Sequence, residues 1–198
     1  MKEGFFIVIY GINNLGKSTQ AQLLVESLNQ AGLKAEYLKY PIYDLSPTGP
    51  AINEILRNTD KQPLSEEEFQ ALYTKNRFDF QPQLCKMLAE GITVVAEDYI
   101  GTGLAWGSSK GADLEKLIES NHGLVKPDVE ILLDGERFLE AKEDNHRHES
   151  NEELTKQCRN HHLELAARFG WEIVDANQTI EEVQKDILAV IKRRIKDL

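Results

Sequence analysis

Residues Gly11 to Thr19 read GINNLGKST and fit the pattern G-x-x-x-x-G-K-[ST]. Glycines let the backbone curl so that successive N–H groups turn inward, where phosphate oxygens accept from them. A helix opening at the lysine adds the positive end of its dipole. Lys17 then faces the β- and γ-phosphates, and the Ser18 hydroxyl is offered to Mg2+. Gly11, Asn13, Asn14, Leu15, Gly16, Lys17, Ser18 and Thr19 therefore form a candidate cradle for a nucleoside triphosphate with Mg2+. The plainer alternative is a glycine-rich turn with a solvated lysine. The apolar run before the loop and the amphipathic stretch after it favour the cradle. The loop alone does not separate a kinase from a GTPase or a motor. A second feature is VVAEDY, residues 94–99, where an apolar run ends in two adjacent acids, Glu97 and Asp98. Ligands of open α/β sheets sit beyond the carboxyl ends of the strands, so both acids are site candidates.

The surrounding pattern supplies elements to hold these groups. Strands are predicted at residues 5–10, 35–38, 93–96, 129–133 and 171–174, as short apolar runs bounded by glycine or polar turns. Helices are predicted at 17–31, 114–119, 151–169 and 179–195, with a long one opening at the Ser65/Glu68 capping box. Pro82 is expected to kink or divide that long helix. Alternation of strand and helix predicts an α/β fold of three layers: a five-stranded parallel sheet with helices on both faces, here a P-loop NTPase fold. No repeat or linker breaks the chain, so residues 1–198 are expected to form one domain.

The 198 residues carry a net charge of −10, spread along the chain. That argues against nucleic acid as a partner, which calls for a basic face. The amino-terminal apolar run is too short for a membrane span, so no membrane partner is expected either. Cys85 and Cys158 are far apart and form no C-x-x-C, the usage of a reduced, cytoplasmic protein. His146, His148, His161 and His162 form an H-x-H and an H-H pair that fits no zinc spacing, so a structural metal is not expected.

Several further segments, in order, resemble the thymidylate kinase family, and the resemblance covers nearly the whole chain. They are KYPIYDLSPTGPAINEIL, with a glycine followed by a helix; ALYTKNRFDF, an aromatic four residues before an arginine; and EDYIGTGLAW, similar to the family's Asp-Arg-Tyr stretch and small-residue turn. KPDVEILLD, CRNHHLELA and VDANQTIEEV complete the series. The resemblance implies ATP-dependent phosphorylation of dTMP to dTDP by a homodimer, with ATP and Mg2+ as cofactors. It implies that Tyr73 stacks on the base and that Arg77 reaches the base or the acceptor phosphate. Thr102, Gly103 and Trp106 would border the deoxyribose, Tyr40 and Pro41 would shape the acceptor side, and Tyr99 would line it. Lys17 and Glu97 would serve transfer, with Ser18 and Glu97 on the Mg2+ side. Residues 135–150 stand where the family has a mobile lid, with Arg147 as the expected catalytic cation and Arg137 and Lys142 in reserve. Plainer readings stay open: Tyr73 and Trp106 as core aromatics, Arg77 in an ion pair with Asp79 or Glu68, and Arg147 in a solvated loop.

The chain departs from the family at four positions. Asn13 replaces an aspartate, His162 a tyrosine, and Tyr43 an arginine found in some members. Asp98 falls on the arginine that clamps the migrating phosphoryl group. Arginines so placed contribute about 10³–10⁵ in rate. A carboxylate there repels phosphate unless it pairs with a cation. The resemblance therefore leaves open an acceptor that is another deoxynucleotide or a nucleoside, or a nucleotide-binding relative with impaired catalysis.

Overall fold

The computed structural model describes residues 4–57, 64–138 and 152–195. Strand β1 (Phe6–Tyr10) has all five side chains buried, as an unbroken apolar run requires when both faces are covered. The chain continues through helix α1 (Lys17–Gln30), β2 (Lys34–Lys39), α2 (Thr48–Arg57) and α3 (Glu66–Ala89). It then forms β3 (Ile92–Glu97), α4 (Ile100–Ser109), α5 (Leu114–Ser120) and β4 (Val129–Asp134). Helix α6 (Glu152–Phe169), β5 (Glu172–Asp175) and α7 (Ile180–Arg194) complete it. The five strands form one sheet in the order β2-β3-β1-β4-β5, and every pair is parallel. The expected five-stranded α/β architecture is therefore observed, with α1, α3, α6 and α7 among the helices packed on its strands. Among the described residues no helix is long and apolar enough to cross a membrane.

The sheet order sets the site. β1 lies at the centre, flanked by β3 and β4, so its carboxyl end opens where the winding reverses. In the register Glu97 lies beside Ile9 of β1 and beside Lys39 of β2. One expectation is narrowed and another corrected. Of the two outcomes expected at Pro82, division does not occur: α3 runs unbroken from Glu66 to Ala89 with its capping box formed as predicted. The small-residue turn expected after Tyr99 is helix α4. Its glycines are demanded by packing: a Cβ at Gly101 would meet Trp171 Cη2 at 2.4 Å, and one at Gly107 would meet Leu117 Cδ1 at 2.6 Å. Tertiary contact here overrides the poor helix propensity of glycine.

Candidate active site

The loop Gly11–Gly16 curls as its sequence demands, with Gly11, Asn14 and Gly16 at positive φ. Gly16 caps α1 in the left-handed conformation, without a side-chain cap and without an acidic residue in the first turn. The helix start is therefore left to an external anion. The Lys17 ammonium is 6 % exposed and donates to the carbonyls of Gly11 (2.9 Å) and Ile12 (3.0 Å).

The two acids of VVAEDY have different surroundings. Glu97 Oε2 accepts from Ser18 Oγ and from Tyr37 OH, each at 2.6 Å, while Oε1 lies 3.0 Å from Lys39 Nζ. Burial pushes the Glu97 carboxyl up, but Lys17, Lys39 and the two hydroxyl donors outweigh it and hold it below the usual carboxylate range. A hydroxyl oxygen and an ionised carboxylate in contact form a hard-oxygen pair suited to Mg2+. Ser18 and Glu97 thus fit the ion that the phosphate loop implies.

Asp98 ends the strand differently. Its N–H donates to Ile9 O at 3.1 Å, and its φ is 61°. Left-handed backbone costs an ordinary L-residue about 1–2 kcal/mol and is most easily met by Gly, Asn or Asp. Its Oδ1 accepts from Thr102 Oγ1 at 2.8 Å and lies 3.9 Å from Lys17 Nζ. Burial raises the Asp98 carboxyl; Lys17 opposes this and Glu97 reinforces it. The Asp98 carboxylate is therefore held by a hydroxyl and lies at the outer limit of an ion pair with the loop lysine.

One cavity of about 1150 Å³ joins the phosphate loop to an aromatic chamber. Its far wall contains Tyr40, Pro41, Tyr73, Arg77, Tyr99, Thr102, Gly103 and Trp106, so the expected acceptor residues are brought together. Tyr73 packs beside Phe69 with ring centroids 4.9 Å apart. Tyr40 and Tyr99 are in ring contact at 5.0 Å. Trp106 is buried in the core and also lines the cavity. Arg77 does not pair with Asp79 or Glu68. Its guanidinium, 4 % exposed, donates to Asn121 Oδ1 (3.1 Å), Tyr99 O (3.2 Å) and Thr74 Oγ1 (3.2 Å). Burial lowers its pKa to about 10, which leaves it charged at neutral pH. Gly103 faces it closely: a Cβ there would lie 3.3 Å from Arg77 Nη2.

Other contributors were not assigned from sequence. Asn76, fully buried on α3, accepts from Ile42 N–H (2.8 Å) and donates to Ile42 O (3.0 Å) and Thr48 Oγ1 (3.0 Å). It thereby clamps the segment that carries Tyr40 and Pro41. Beyond the phosphate loop, Ala176, Gln178 and Ile180 form another wall. Asn177 holds the chain leaving β4, accepting from Glu136 N–H (2.6 Å) and donating to Glu136 O (2.9 Å). Phe138 N–H then donates to Asn14 O of the phosphate loop at 2.9 Å. Arg147 and Lys142 of the expected lid lie outside the described residues, as does Asn151. His162 is buried in α6, its Nδ1 2.9 Å from Cys158 O. Among the described residues no cluster of three or more His, Cys, Asp or Glu could hold a metal.

A phosphate loop at the centre of a parallel sheet, opening on an aromatic chamber, defines a P-loop phosphotransferase for a small acceptor. The family model described as thymidylate kinase matches residues 9–187. The chain belongs to the thymidylate kinase family, whose members are ATP-dependent phosphotransferases. It is 33 % identical to a thymidylate kinase of Danio rerio, over 94 % of this chain and 89 % of that one. It is 30 % identical to the human thymidylate kinase, with coverage of 98 % and 93 %. A solved thymidylate kinase from Candida albicans superposes with a TM-score of 0.81 at 26 % identity, covering 96 % of this chain and 92 % of that one.

Proposed function

We propose that this chain transfers the γ-phosphoryl group of ATP to dTMP, giving dTDP, and that it works as a cytoplasmic homodimer. The observation that carries this reading is the single cavity that runs from the phosphate loop to the Tyr73–Trp106 chamber. Donor and acceptor can meet in it. Gly11, Asn13, Asn14, Leu15, Gly16, Lys17, Ser18 and Thr19 hold the triphosphate through backbone N–H groups and the lysine. Ser18 and Glu97 would hold Mg2+, which when bound neutralises charge on the β- and γ-phosphates. Tyr73 offers its ring face to the base, and such stacking is worth about 1–3 kcal/mol. Arg77 presents guanidinium edges to base or phosphate oxygens. Thr102, Gly103 and Trp106 border the sugar, and Tyr40, Pro41 and Tyr99 close the acceptor side. An acceptor phosphate is already ionised, so no general base is required. Positioning and charge do the work, and Arg147 is the expected lid cation.

One observation favours a second reading, in which another acceptor is used or turnover is slow: the Asp98 carboxylate borders the transfer region. The Candida albicans relative is itself described by its broad substrate specificity. The reading is tested by chromatographic detection of dTDP from Mg-ATP and dTMP. Lys17→Ala should lower turnover by about 10²–10³ or more while the protein stays folded. Undiminished turnover in that variant would remove the loop from the mechanism.

A further inference from the structure

The acceptor end of the cavity poses a charge problem. A nucleotide monophosphate brings close to two negative charges to a floor that already holds Glu97 and Asp98. Among the described residues the cavity is lined by four cationic side chains: Lys17, Lys39, Arg57 and Arg77. Lys17 is engaged by the carbonyls of the phosphate loop and stands on the donor side. The Arg77 guanidinium donates through Nε, Nη1 and Nη2 to groups of α3, the β3–α4 junction and Asn121. Arg57 ends α2, away in sequence from the strand ends that carry Glu97 and Asp98, and donates to Asn53 one turn earlier.

Lys39 differs from all three. It is the last residue of β2 and directly precedes Tyr40 and Pro41, which line the acceptor side. Its ammonium lies 3.0 Å from Glu97 Oε1, whereas Ser18 and Tyr37 take the other oxygen, Oε2. The carboxylate thus has one edge toward the nucleotide loop and the other toward Lys39. The Lys39 side chain is 48 % exposed, so it can shift toward a ligand without a large desolvation cost. An ammonium carries three donors, and among the described residues its ionic partner is Glu97.

We propose that Lys39 binds the acceptor's phosphate during transfer, supplying the positive charge that Asp98 and Tyr43 do not. This rests on the reading of the acceptor as a nucleoside monophosphate. Lys39 pivots between Glu97 and the phosphate and offsets the Asp98 carboxylate across the acceptor floor.

Calorimetric titration of the full chain with nucleoside monophosphates, each paired with its own nucleoside, tests this. The wild type, Lys39→Met, Lys39→Arg and Arg57→Met would be compared. Lys39→Met is expected to weaken monophosphate binding by roughly 10- to 100-fold and leave the nucleoside's affinity unchanged. Lys39→Arg should recover most of the loss, and Arg57→Met should leave the ratio of monophosphate to nucleoside affinity as in the wild type. The proposal is overturned by an unchanged ratio in Lys39→Met, by transfer of the loss to Arg57→Met, or by a wild type that binds no monophosphate better than its nucleoside. It is also overturned if Lys39→Met weakens an ATP analogue as much as the monophosphate, since the effect would then run through Glu97. A Lys39-dependent ratio on a monophosphate other than dTMP would sustain Lys39 and refute the thymine reading.

Discussion

Asp98 has two properties that pull in opposite directions. Its left-handed backbone suits aspartate, and its Oδ1 is bonded to Thr102. Its charge, however, borders a cavity meant for phosphates. Two unit charges about 5 Å apart repel by roughly 3 kcal/mol at the effective dielectric of a protein surface, before screening by salt. Asparagine keeps both the backbone preference and an oxygen for Thr102 while removing the charge. Asp98→Asn is therefore expected to leave the denaturation midpoint nearly unchanged and to lower the KM for the acceptor phosphate several-fold. A higher KM would show that the carboxylate itself is used in binding. Glu97 behaves as an ordinary ionised acid beside Ser18, and the difference between the two neighbours follows from their surroundings.

At the scale of elements, α3 is the organiser of the acceptor chamber. It presents Tyr73 and Arg77 to the cavity and, through Asn76, fixes both backbone groups of Ile42. Asn76→Ala leaves those partly buried groups without their partner, at a cost of about 2–3 kcal/mol. Urea unfolding should register that loss, and steady-state kinetics should show a larger rise in acceptor KM than in ATP KM. Equal rises would mean that the clamp serves the whole fold. The sequence made much of this legible. The phosphate loop, the five strands and the α3 capping box are local patterns, and local patterns survive into the structure. Helix α4 was hidden because Gly101, Gly103 and Gly107 argue against a helix until Trp171, Arg77 and Leu117 are packed against them. Pro82 lies inside α3 without dividing its 24 residues. Lys39 was missed because its value lies in register: only the pairing of β2 with β3 places it beside Glu97. Asn76 was not legible as a clamp, because its partners are 28 and 34 positions away.

At the scale of the whole molecule, buried His162 links stability to pH. Its Nδ1–H donates to Cys158 O, and its Nε2 is buried without a partner among the described residues. A proton on Nε2 would place a charged donor in the core with nothing to accept from it. Burial pushes its pKa down to about 4, against 6.5 for the unperturbed group. The unfolded chain therefore takes up the proton first. Stability from this residue is complete above about pH 6.5 and is lost as the pH falls toward 4, about 3 kcal/mol in all. Unfolding free energies measured across that window should fall more steeply for the wild type than for His162→Gln. Parallel curves would contradict this assignment. The proposed homodimer belongs to the same scale, and light scattering of the full chain tests it.

In the proposed function one cavity brings Mg-ATP and dTMP together for phosphoryl transfer. The most direct test is kcat/KM by ADP release with Mg-ATP, for dTMP against the other deoxynucleoside monophosphates and thymidine. dTMP should be the best acceptor by at least about tenfold, or about 1.4 kcal/mol in transition-state stabilisation. Robust turnover on a different acceptor, or ATP binding with no acceptor-dependent ADP release, would contradict it.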